Sequence, residues 1–328
     1  MILITGGAGF IGSNLAAALN ERGETDVIVC DWLGTDAKWR NLAKRELADV
    51  IAPEALPDFL TSSVGRAVRA VFHMGAISAT TATDADLVVE TNFRLSMRIW
   101  RHCAETGATL VYASSAATYG DGAQGFLDRD DPASLAKLAP LNLYGWSKHL
   151  FDRAAIRLAE KKQAPPHWCG CKFFNVFGPN EYHKGEMQSV VAKITPEAIA
   201  GRPARLFRSH RPDYPDGGQL RDFVWVDDVC DAMLWMAEAK PANGLYNIGS
   251  GAARSWLDLV SAIYRSLGVE PKIDFIDMPE ALKQNYQYYT QADIGKLRSA
   301  GYSGQATPLE TAVQTYVADY LTLTDRYR

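Results

Sequence analysis

Thr5-Gly6-Gly7-Ala8-Gly9-Phe10-Ile11-Gly12 follows an apolar segment, residues 1–4, at the start of the chain. The apolar segment predicts a short buried strand, and residues 14–19 after the glycines predict a helix. The three glycines at positions 6, 9 and 12 allow a tight turn whose backbone N–H groups can approach a pyrophosphate at the helix N-terminus. The context of strand, turn and helix therefore predicts a dinucleotide-binding site. A purely structural glycine-rich turn is the alternative.

The next predicted strand, Val27–Cys30, is followed by Asp31. About twenty residues after a glycine-rich turn, a carboxylate binds the ribose hydroxyls of adenosine in dinucleotide sites. An acid at this position favours NAD, because it repels the 2′-phosphate of NADP. Lys38 and Arg40 follow closely and could compensate that charge. The residues alone therefore leave both cofactors open.

Further strands are predicted at Ala70–His73 and at residues 109–113, with a helix over 84–103 between them. Strands continue to alternate with helices to about residue 175, which predicts an α/β fold with a doubly wound parallel sheet of the Rossmann type. Ligands bind at the carboxyl ends of such strands. Gly75 and Ser115 lie there, so we expect close backbone approach to a cofactor at Gly75. We expect a hydrogen bond from Ser115 to a substrate oxygen.

Tyr144-Gly-Trp-Ser-Lys148 places a phenol and an ammonium four residues apart. On a helix these positions lie on one face, one turn apart. A neighbouring cation favours the ionised phenol and lowers its pKa. The pair is therefore a candidate proton donor and acceptor, although the same spacing also occurs by chance on amphipathic helices.

The character of the chain changes after Asn175, where residues 180–218 are loop-rich and basic. Such a stretch is either a solvated surface or a pocket for a phosphorylated substrate, for which arginine is the usual ligand. We predict a Rossmann dinucleotide-binding domain over residues 1–175, which also receives segments near 220–250. Residues 176–328 are predicted to form mainly a smaller α/β substrate-binding domain.

Composition excludes several classes of protein. A formal net charge of −4 gives no reason to expect nucleic acid or an anionic membrane as a partner. No apolar run approaches the roughly 18 residues of a membrane helix, and the N-terminus lacks the basic leader of a signal peptide. The five cysteines form no Cys-x-x-Cys pair, and the six histidines have no ligand spacing. We therefore predict a cytoplasmic protein with reduced cysteines and no metal.

Several motifs together resemble the extended short-chain dehydrogenase/reductases, the family of nucleotide-sugar epimerases and dehydratases. They are the glycine-rich turn, Ser114-Ser115, Tyr144-x-x-x-Lys148, Asn175-Val-Phe-Gly-Pro179, Arg221-Asp-Phe-Val224 and Tyr246-Asn-Ile-Gly249. The resemblance covers nearly the full length. It implies a Rossmann domain carrying a smaller C-terminal substrate domain, and a homo-oligomer.

Within this family the resemblance is greatest to the ADP-heptose 6-epimerases, because of His183-Lys184-Gly185 and Tyr286-Gln-x-x-Thr-Gln-Ala-Asp293. That resemblance implies an ADP-activated heptose substrate and tightly held NADP, with NAD as the second choice. Nicotinamide would take a hydride from C6″, and the transient 6″-ketone would receive it on its opposite face. Tyr144, supported by Lys148, would be one base and Lys184 the other.

The resemblance also assigns the residues of the two pockets. The cofactor pocket would contain Gly6, Gly9, Phe10, Ile11, Gly12, Asp31, Trp32, Lys38, Met74, Gly75, Ala76, Ile77, Ser78, Asn92, Lys148, Val176 and Lys184. The substrate pocket would contain Ser115, Asn175, Glu186, Lys193, Phe207, Arg208, Ser209, His210, Arg221 and Tyr286. Two positions depart from the subfamily pattern: Pro53 replaces a second cofactor lysine, and Glu186 replaces a small hydroxyl residue.

Two other functions remain open. A UDP-hexose 4-epimerase would use Tyr144 on both faces of a rotating keto sugar and would not need Lys184. A non-catalytic dinucleotide sensor would need no proton donor, and the combination of Ser115, Tyr144 and Lys148 argues against it.

Overall fold

The computed structural model describes residues 1–283 and 286–328. The strands are β1 (Ile2–Thr5), β2 (Val27–Cys30), β3 (Asp49–Ile51), β4 (Ala70–His73), β5 (Thr109–Ser115), β6 (Trp168–Phe173), β7 (Asn175–Phe177), β8 (Ala204–Phe207), β9 (Leu220–Trp225), β10 (Gly244–Ile248), β11 (Ala253–Ser255) and β12 (Ile273–Ile276).

The α-helices are α1 (Phe10–Glu21), α2 (Leu56–Thr61), α3 (Ser63–Arg66), α4 (Ala85–Val88), α5 (Leu95–Thr106), α6 (Pro132–Leu135), α7 (Leu143–Glu160), α8 (Val190–Ile199), α9 (Val226–Ala239), α10 (Trp256–Leu267), α11 (Glu280–Lys283), α12 (Gly295–Ser299) and α13 (Leu309–Tyr316). Short 3₁₀ stretches span Ala37–Leu42, Pro53–Ala55, Ala116–Tyr119 and Tyr182–Met187, and π-helical turns span Val89–Arg94 and Val317–Leu321.

The largest sheet is parallel throughout, with the strand order β10-β6-β5-β4-β1-β2-β3. From β1 the chain builds outward to β3 and then returns to build from β4 to the opposite edge. The order therefore reverses between β1 and β4, and the predicted doubly wound Rossmann sheet is confirmed. Ligands bind in such folds at the carboxyl ends of the strands beside this reversal.

Alternating side chains of β1 explain how the sheet holds helices on both faces. Ile2 and Ile4 lie in one apolar cluster with residues of α1 and α9. Leu3 points the opposite way, into a second cluster with residues of α5 and α7. Because successive side chains of a strand point to opposite faces, a strand covered on both sides must be apolar throughout.

The remaining elements build a smaller layer next to the sheet. Strands β7, β9 and β11 form one small sheet, β8 pairs with β12, and α8, α10 and α13 contribute to the adjoining apolar core. Strand β10 lies in the large sheet, whereas β9 lies in the small one.

The prediction of a loop-rich stretch over residues 180–218 was wrong for α8 and β8. The hydroxyl of Ser189 caps α8 by accepting a hydrogen bond from the backbone of Ala192, and Val191 and Ile194 are buried. The basic residues that suggested loop lie on the exposed sides of these elements, as Lys193 and Arg205 do. The basic composition of this segment reflects the exposed faces of α8 and β8 and does not indicate their apolar faces.

Within residues 1–283 and 286–328, the helices are all too short or too polar to cross a lipid bilayer.

Candidate active site

A cavity of about 960 Å³ opens at the carboxyl ends of the central strands. The glycine-rich turn forms one wall, and the segments after β4, β5 and β6 form the others. The predicted site residues that line it are Gly6, Gly9, Phe10, Ile11, Gly12, Asp31, Trp32, Lys38, Met74, Gly75, Ala76, Ile77, Ser78, Ser115, Tyr144, Lys148, Asn175, Val176, Lys184, Arg221 and Tyr286. The fold thus brings both predicted pockets into one continuous space.

The glycine-rich turn has the shape that a dinucleotide pyrophosphate requires. Gly6 has φ +66°, and a Cβ added there would lie 2.5 Å from the backbone nitrogen of Gly75. A Cβ on Gly12 would collide with the carbonyl oxygen of Gly6. Helix α1 begins at Phe10, directly after this turn, so its N-terminal N–H groups and dipole favour an anion at the cavity wall.

Asp31 lies at the opposite end of the turn, where the adenosine ribose would bind. Its carboxylate accepts hydrogen bonds from the backbone N–H of Ala8 at 3.0 Å and from Lys38 Nζ at 2.8 Å. Lys38 also donates to the carbonyl oxygen of Trp32 at 2.8 Å. The indole N–H of Trp32 donates to Glu54 at 2.7 Å. This edge of the cavity therefore carries the ion pair of Lys38 and Asp31.

Tyr144 and Lys148 lie in the first turns of α7. The helix begins at Leu143 because Asn142 is extended and its side chain accepts a hydrogen bond from the backbone N–H of Gly145 at 2.8 Å. Ser115 ends β5 beside this helix, and its hydroxyl accepts a hydrogen bond from the backbone N–H of Ala117 at 3.1 Å. The three side chains therefore converge on the same part of the cavity.

The pKa of Tyr144 shifts in the direction opposite to the prediction. Burial raises it, the nearby hydroxyl of Ser115 lowers it, and the charge of Asp152 raises it further. Burial also lowers the pKa of Lys148 to about 8, against the opposing effect of Asp152. Within the protein alone, desolvation outweighs the expected effect of the cation on the phenol. At neutral pH the phenol is therefore protonated and the lysine is cationic.

Lys184 approaches the cavity from the loop that follows β7. Its Nζ lies 5.1 Å from the centre of the Phe10 ring, above the glycine-rich turn. The next residue, Gly185, has φ +52°, a left-handed conformation that glycine adopts readily. Burial lowers the pKa of Lys184, while the charge of buried Glu181 raises it. Lys184 is thus a second cavity-facing group able to exchange a proton.

Asn41, which was not among the predicted site residues, joins the segment that carries Lys184 to the glycine-rich turn. Its amide donates to the carbonyl oxygens of Ala8 at 2.8 Å and Asn180 at 3.0 Å. His183 Nδ1 lies 3.2 Å from the same amide nitrogen. No local motif signals this role, because the partners are more than thirty residues away in sequence, at separations of 33 to 142.

Asn92 lies behind the cavity wall and does not line it, contrary to the predicted contact with the cofactor. It is fully buried, and its side chain accepts a hydrogen bond from the backbone N–H of Ile77 and donates to the carbonyl oxygen of the same residue. It also donates to Ser147, whose hydroxyl donates to the carbonyl oxygen of Tyr144. Asn92 therefore shapes the turn after β4 and supports the start of α7.

His73 extends this support behind the turn. Its Nδ1 lies 2.6 Å from the hydroxyl of Thr5 and its Nε2 lies 2.8 Å from that of Ser96. Because the Ser96 hydroxyl donates to the carbonyl oxygen of Asn92, it must accept from Nε2–H of the histidine. Burial lowers the pKa of His73 to about 3, and the charge of Lys148 lowers it as well. The imidazole is therefore a neutral structural link.

Arg221 faces the other end of the cavity. Its guanidinium is buried, and it lies 5.1 Å from the ring centre of Tyr286 and 5.8 Å from that of Trp256. One of its N–H groups donates to the carbonyl oxygen of Leu220 at 2.8 Å. The flat faces of the two aromatic rings fix the guanidinium in the cavity wall, where its remaining donors can bind an anion.

The other predicted substrate residues lie outside the cavity wall: Glu186, Lys193, Phe207, Arg208, Ser209 and His210. Glu186 is fully exposed and forms an ion pair with Lys193 at 2.9 Å, so its charge points away from the site. Arg208 forms an ion pair with Asp277, and the backbone N–H of His210 donates to the hydroxyl of Tyr288. Phe207 packs its ring edge to face against Tyr286, which lines the cavity, at 6.3 Å between ring centres. Phe207 therefore supports the cavity wall from behind.

Residues 2–249 match the model of the NAD dependent epimerase/dehydratase family. This span contains the glycine-rich turn, Ser115, Tyr144, Lys148 and Lys184. The chain belongs to that family. The cofactor class that fits the turn is therefore a nicotinamide dinucleotide.

Relatives within the family extend over the whole chain. The ADP-L-glycero-D-manno-heptose-6-epimerase of Nitratidesulfovibrio vulgaris strain DP4 is 47% identical over 328 residues, which is all of both chains. The enzyme of the same name from Fusobacterium nucleatum is 44% identical, also over all of both chains. A solved structure of the Helicobacter pylori enzyme of that name has a TM-score of 0.77 and 28% identity, covering 97% of this chain and 95% of that one. The predicted resemblance to this subfamily of epimerases is thereby confirmed.

Proposed function

We propose that this chain is an ADP-glyceromanno-heptose 6-epimerase, an isomerase that interconverts ADP-D-glycero- and ADP-L-glycero-D-manno-heptose at C6″. It would supply the heptose of the lipopolysaccharide core. One observation supports the proposal most directly: Tyr144 and Lys184 line the same cavity from different walls. This is the cavity in which we expect the nicotinamide cofactor to bind. Tyr144 belongs to α7, whereas Lys184 belongs to the loop above Phe10.

Two bases suit an epimerase that inverts an alcohol carbon by oxidation and reduction. A nicotinamide dinucleotide held at the glycine-rich turn and Lys148 would supply the redox chemistry, which is removal of a hydride from C6″ and its return to the opposite face of the ketone. One base removes the proton from the C6″ hydroxyl of the first epimer during oxidation. After the ketone has reoriented, the second group donates a proton to its oxygen during reduction to the other epimer. General acid–base groups must lie within hydrogen-bonding distance of these oxygens.

The chain supplies the first base through Tyr144. Ser115 lines the same part of the cavity and can bind the same sugar oxygen as the phenol. Lys148, cationic at neutral pH, stabilises the phenolate when the proton leaves. The positive charge of an oxidised nicotinamide acts in the same direction.

The chain supplies the second base through Lys184. A lysine can accept a proton near neutral pH when burial lowers its pKa, and burial acts in that direction here. Asn41 and Gly185 hold its loop against the cofactor wall. Arg221 would bind the diphosphate of the ADP group and so orient the sugar toward both bases.

The substrate assignment predicts that the purified protein converts ADP-D-glycero-D-manno-heptose to an equilibrium mixture containing the L-glycero epimer. The two epimers are separated by anion-exchange chromatography and distinguished by the proton NMR signal of the hydrogen on C6″. UDP-galactose serves as the competing substrate in a parallel reaction. Turnover of UDP-galactose without turnover of the heptose would replace this proposal by a UDP-hexose 4-epimerase.

For the cofactor we propose NADP, with NAD as the second candidate. Support comes from Lys38, which lies 2.8 Å from Asp31 and compensates the carboxylate that would repel a 2′-phosphate. Pro53, which stands in place of the subfamily's second lysine, lines the same edge of the cavity. Lys38 is therefore the residue on which the preference for NADP depends.

The cofactor assignment predicts that nucleotide released from the denatured protein carries a 2′-phosphate, which mass spectrometry detects directly. Lys38→Gln should weaken NADP binding by roughly 10-fold or more, since a hydrogen bond to a charged group contributes about 1.5–3 kcal/mol, and should change NAD binding much less. Equal losses for both dinucleotides, with NAD as the released species, would reverse the choice. A cytoplasmic location and a homo-oligomeric state remain part of the proposal.

A further inference from the structure

Asp152 forms a fully buried ion pair directly behind the catalytic side chains. It lies on α7 four residues after Lys148, and therefore one turn away on the same face of the helix. Its Oδ2 is 2.9 Å from Nζ of Lys172 on β6, and both side chains are 0% exposed. Neither residue lines the cavity, so neither can touch the substrate.

Hydrogen bonds connect the Asp152 carboxylate to the end of β5. It accepts from the hydroxyl of Ser114 at 2.7 Å and from that of Tyr112 at 3.1 Å. Ser114 immediately precedes Ser115, which lines the cavity together with Tyr144. The carboxylate thus fixes the helix that carries Tyr144 relative to the strand that carries Ser115.

Lys172 makes a second connection to the same place. Its Nζ donates to the hydroxyl of Thr118 at 2.6 Å, and that hydroxyl donates to the carbonyl oxygen of Ser115 at 2.8 Å. The ammonium also lies 4.8 Å from the centre of the Tyr119 ring. The ion pair therefore has hydrogen-bond partners on both sides, as a buried pair of charges requires.

The charge of Asp152 also acts on Lys148, which is itself only 3% exposed. Burial lowers the pKa of Lys148, and Asp152 is the group that raises it again. Two titratable groups near this lysine are His73, which is neutral, and Tyr144, whose pKa is raised by burial. Without the carboxylate, the ammonium would lose its proton closer to neutral pH.

We propose that Asp152, paired with Lys172, is a positioning residue that aligns Ser115 with Tyr144 and keeps Lys148 cationic under working conditions. The inference rests on the proposed role of Lys148 in the dinucleotide site but not on the choice of sugar. A purely structural role would be served as well by an apolar pair of similar volume, because replacing a buried ion pair in this way is often neutral or stabilising.

The test compares the Tyr144→Phe variant with a variant that carries both Tyr144→Phe and Asp152→Asn, so that the Tyr144 phenol does not titrate and only the charge of Asp152 is removed. Nicotinamide dinucleotide binding is measured by tryptophan fluorescence between about pH 6 and 10. We expect the loss of binding at high pH, which follows deprotonation of Lys148, to move to lower pH by about one unit when Asp152→Asn is added. One charge at a helical turn's distance produces a shift of that order.

Ser114→Ala in the same background is the matched control, because it removes one hydrogen bond from Asp152 and leaves its charge. The pH at which Ser114→Ala loses half of its dinucleotide binding should equal that of Tyr144→Phe alone, even if its thermal unfolding temperature falls. An unchanged midpoint after the addition of Asp152→Asn would overturn the proposal and leave Asp152 a structural residue. If Asp152→Asn does not fold, Asp152→Ser, which also removes the charge and keeps a hydroxyl group there, is measured in the same way, and an unchanged midpoint there has the same meaning. Because no sugar is used, a wrong heptose assignment does not affect the result.

Discussion

Tyr144→Phe is expected to reduce epimerase turnover by roughly 10²- to 10⁴-fold, the usual contribution of a positioned acid or base. The change removes one oxygen atom and leaves the ring that lines the cavity. Because the phenol accepts the substrate proton in one direction and returns it in the other, both directions of epimerisation should slow. Initial rates with ADP-D-glycero-D-manno-heptose and with its L-glycero epimer measure the effect.

Dinucleotide binding separates this loss from unfolding. Tyr144→Phe should bind the nicotinamide cofactor with little change, since Asp31, Lys38 and the glycine-rich turn are untouched. Tyr289→Phe is the matched control: it removes the same atom from a tyrosine that is 40% exposed and outside the cavity, and it should keep full turnover. Epimerase activity within a few-fold of wild type in Tyr144→Phe would contradict the assignment of Tyr144 as a base.

The sequence predicted the features of the site that depend on local order. The glycine-rich turn, Asp31 and Ser115 each follow a strand, and parallel strands bring their carboxyl ends to one edge. Tyr144 and Lys148 lie on one helix, so their spacing alone placed them on the same face. The positions of these residues could be predicted because each is set by the end of a strand or by one turn of a helix.

The sequence could not predict relations that depend on burial or on distant contacts. The pKa of Tyr144 rises because the whole site is desolvated, and no spacing reports desolvation. Asn92 was predicted to bind the cofactor, but its partner Ile77 is fifteen residues away and the side chain is turned behind the wall. Helix α8 was missed because exposed charge, as at Lys193, dominated the composition of its segment.

Lys184→Met is the second change with a large expected effect. If Lys184 serves the epimer that Tyr144 cannot reach, net epimerisation should fall by roughly 10²- to 10⁴-fold. Methionine keeps much of the apolar length of the lysine, so packing against Phe10 should persist while the proton-exchanging group is lost. Steady-state rates with each epimer measure the loss.

A single-turnover reaction shows which half of the chemistry depends on Lys184. With Tyr144 intact, Lys184→Met should still oxidise one of the two epimers, seen as the near-ultraviolet absorbance of reduced nicotinamide, but should fail with the other. Lys137→Met, which alters an exposed lysine outside the cavity, should behave as wild type with both. If Lys184→Met kept near-normal epimerisation while Tyr144→Phe lost it, one base would suffice. The reaction would then resemble that of a 4-epimerase, in which the keto sugar rotates before a single tyrosine.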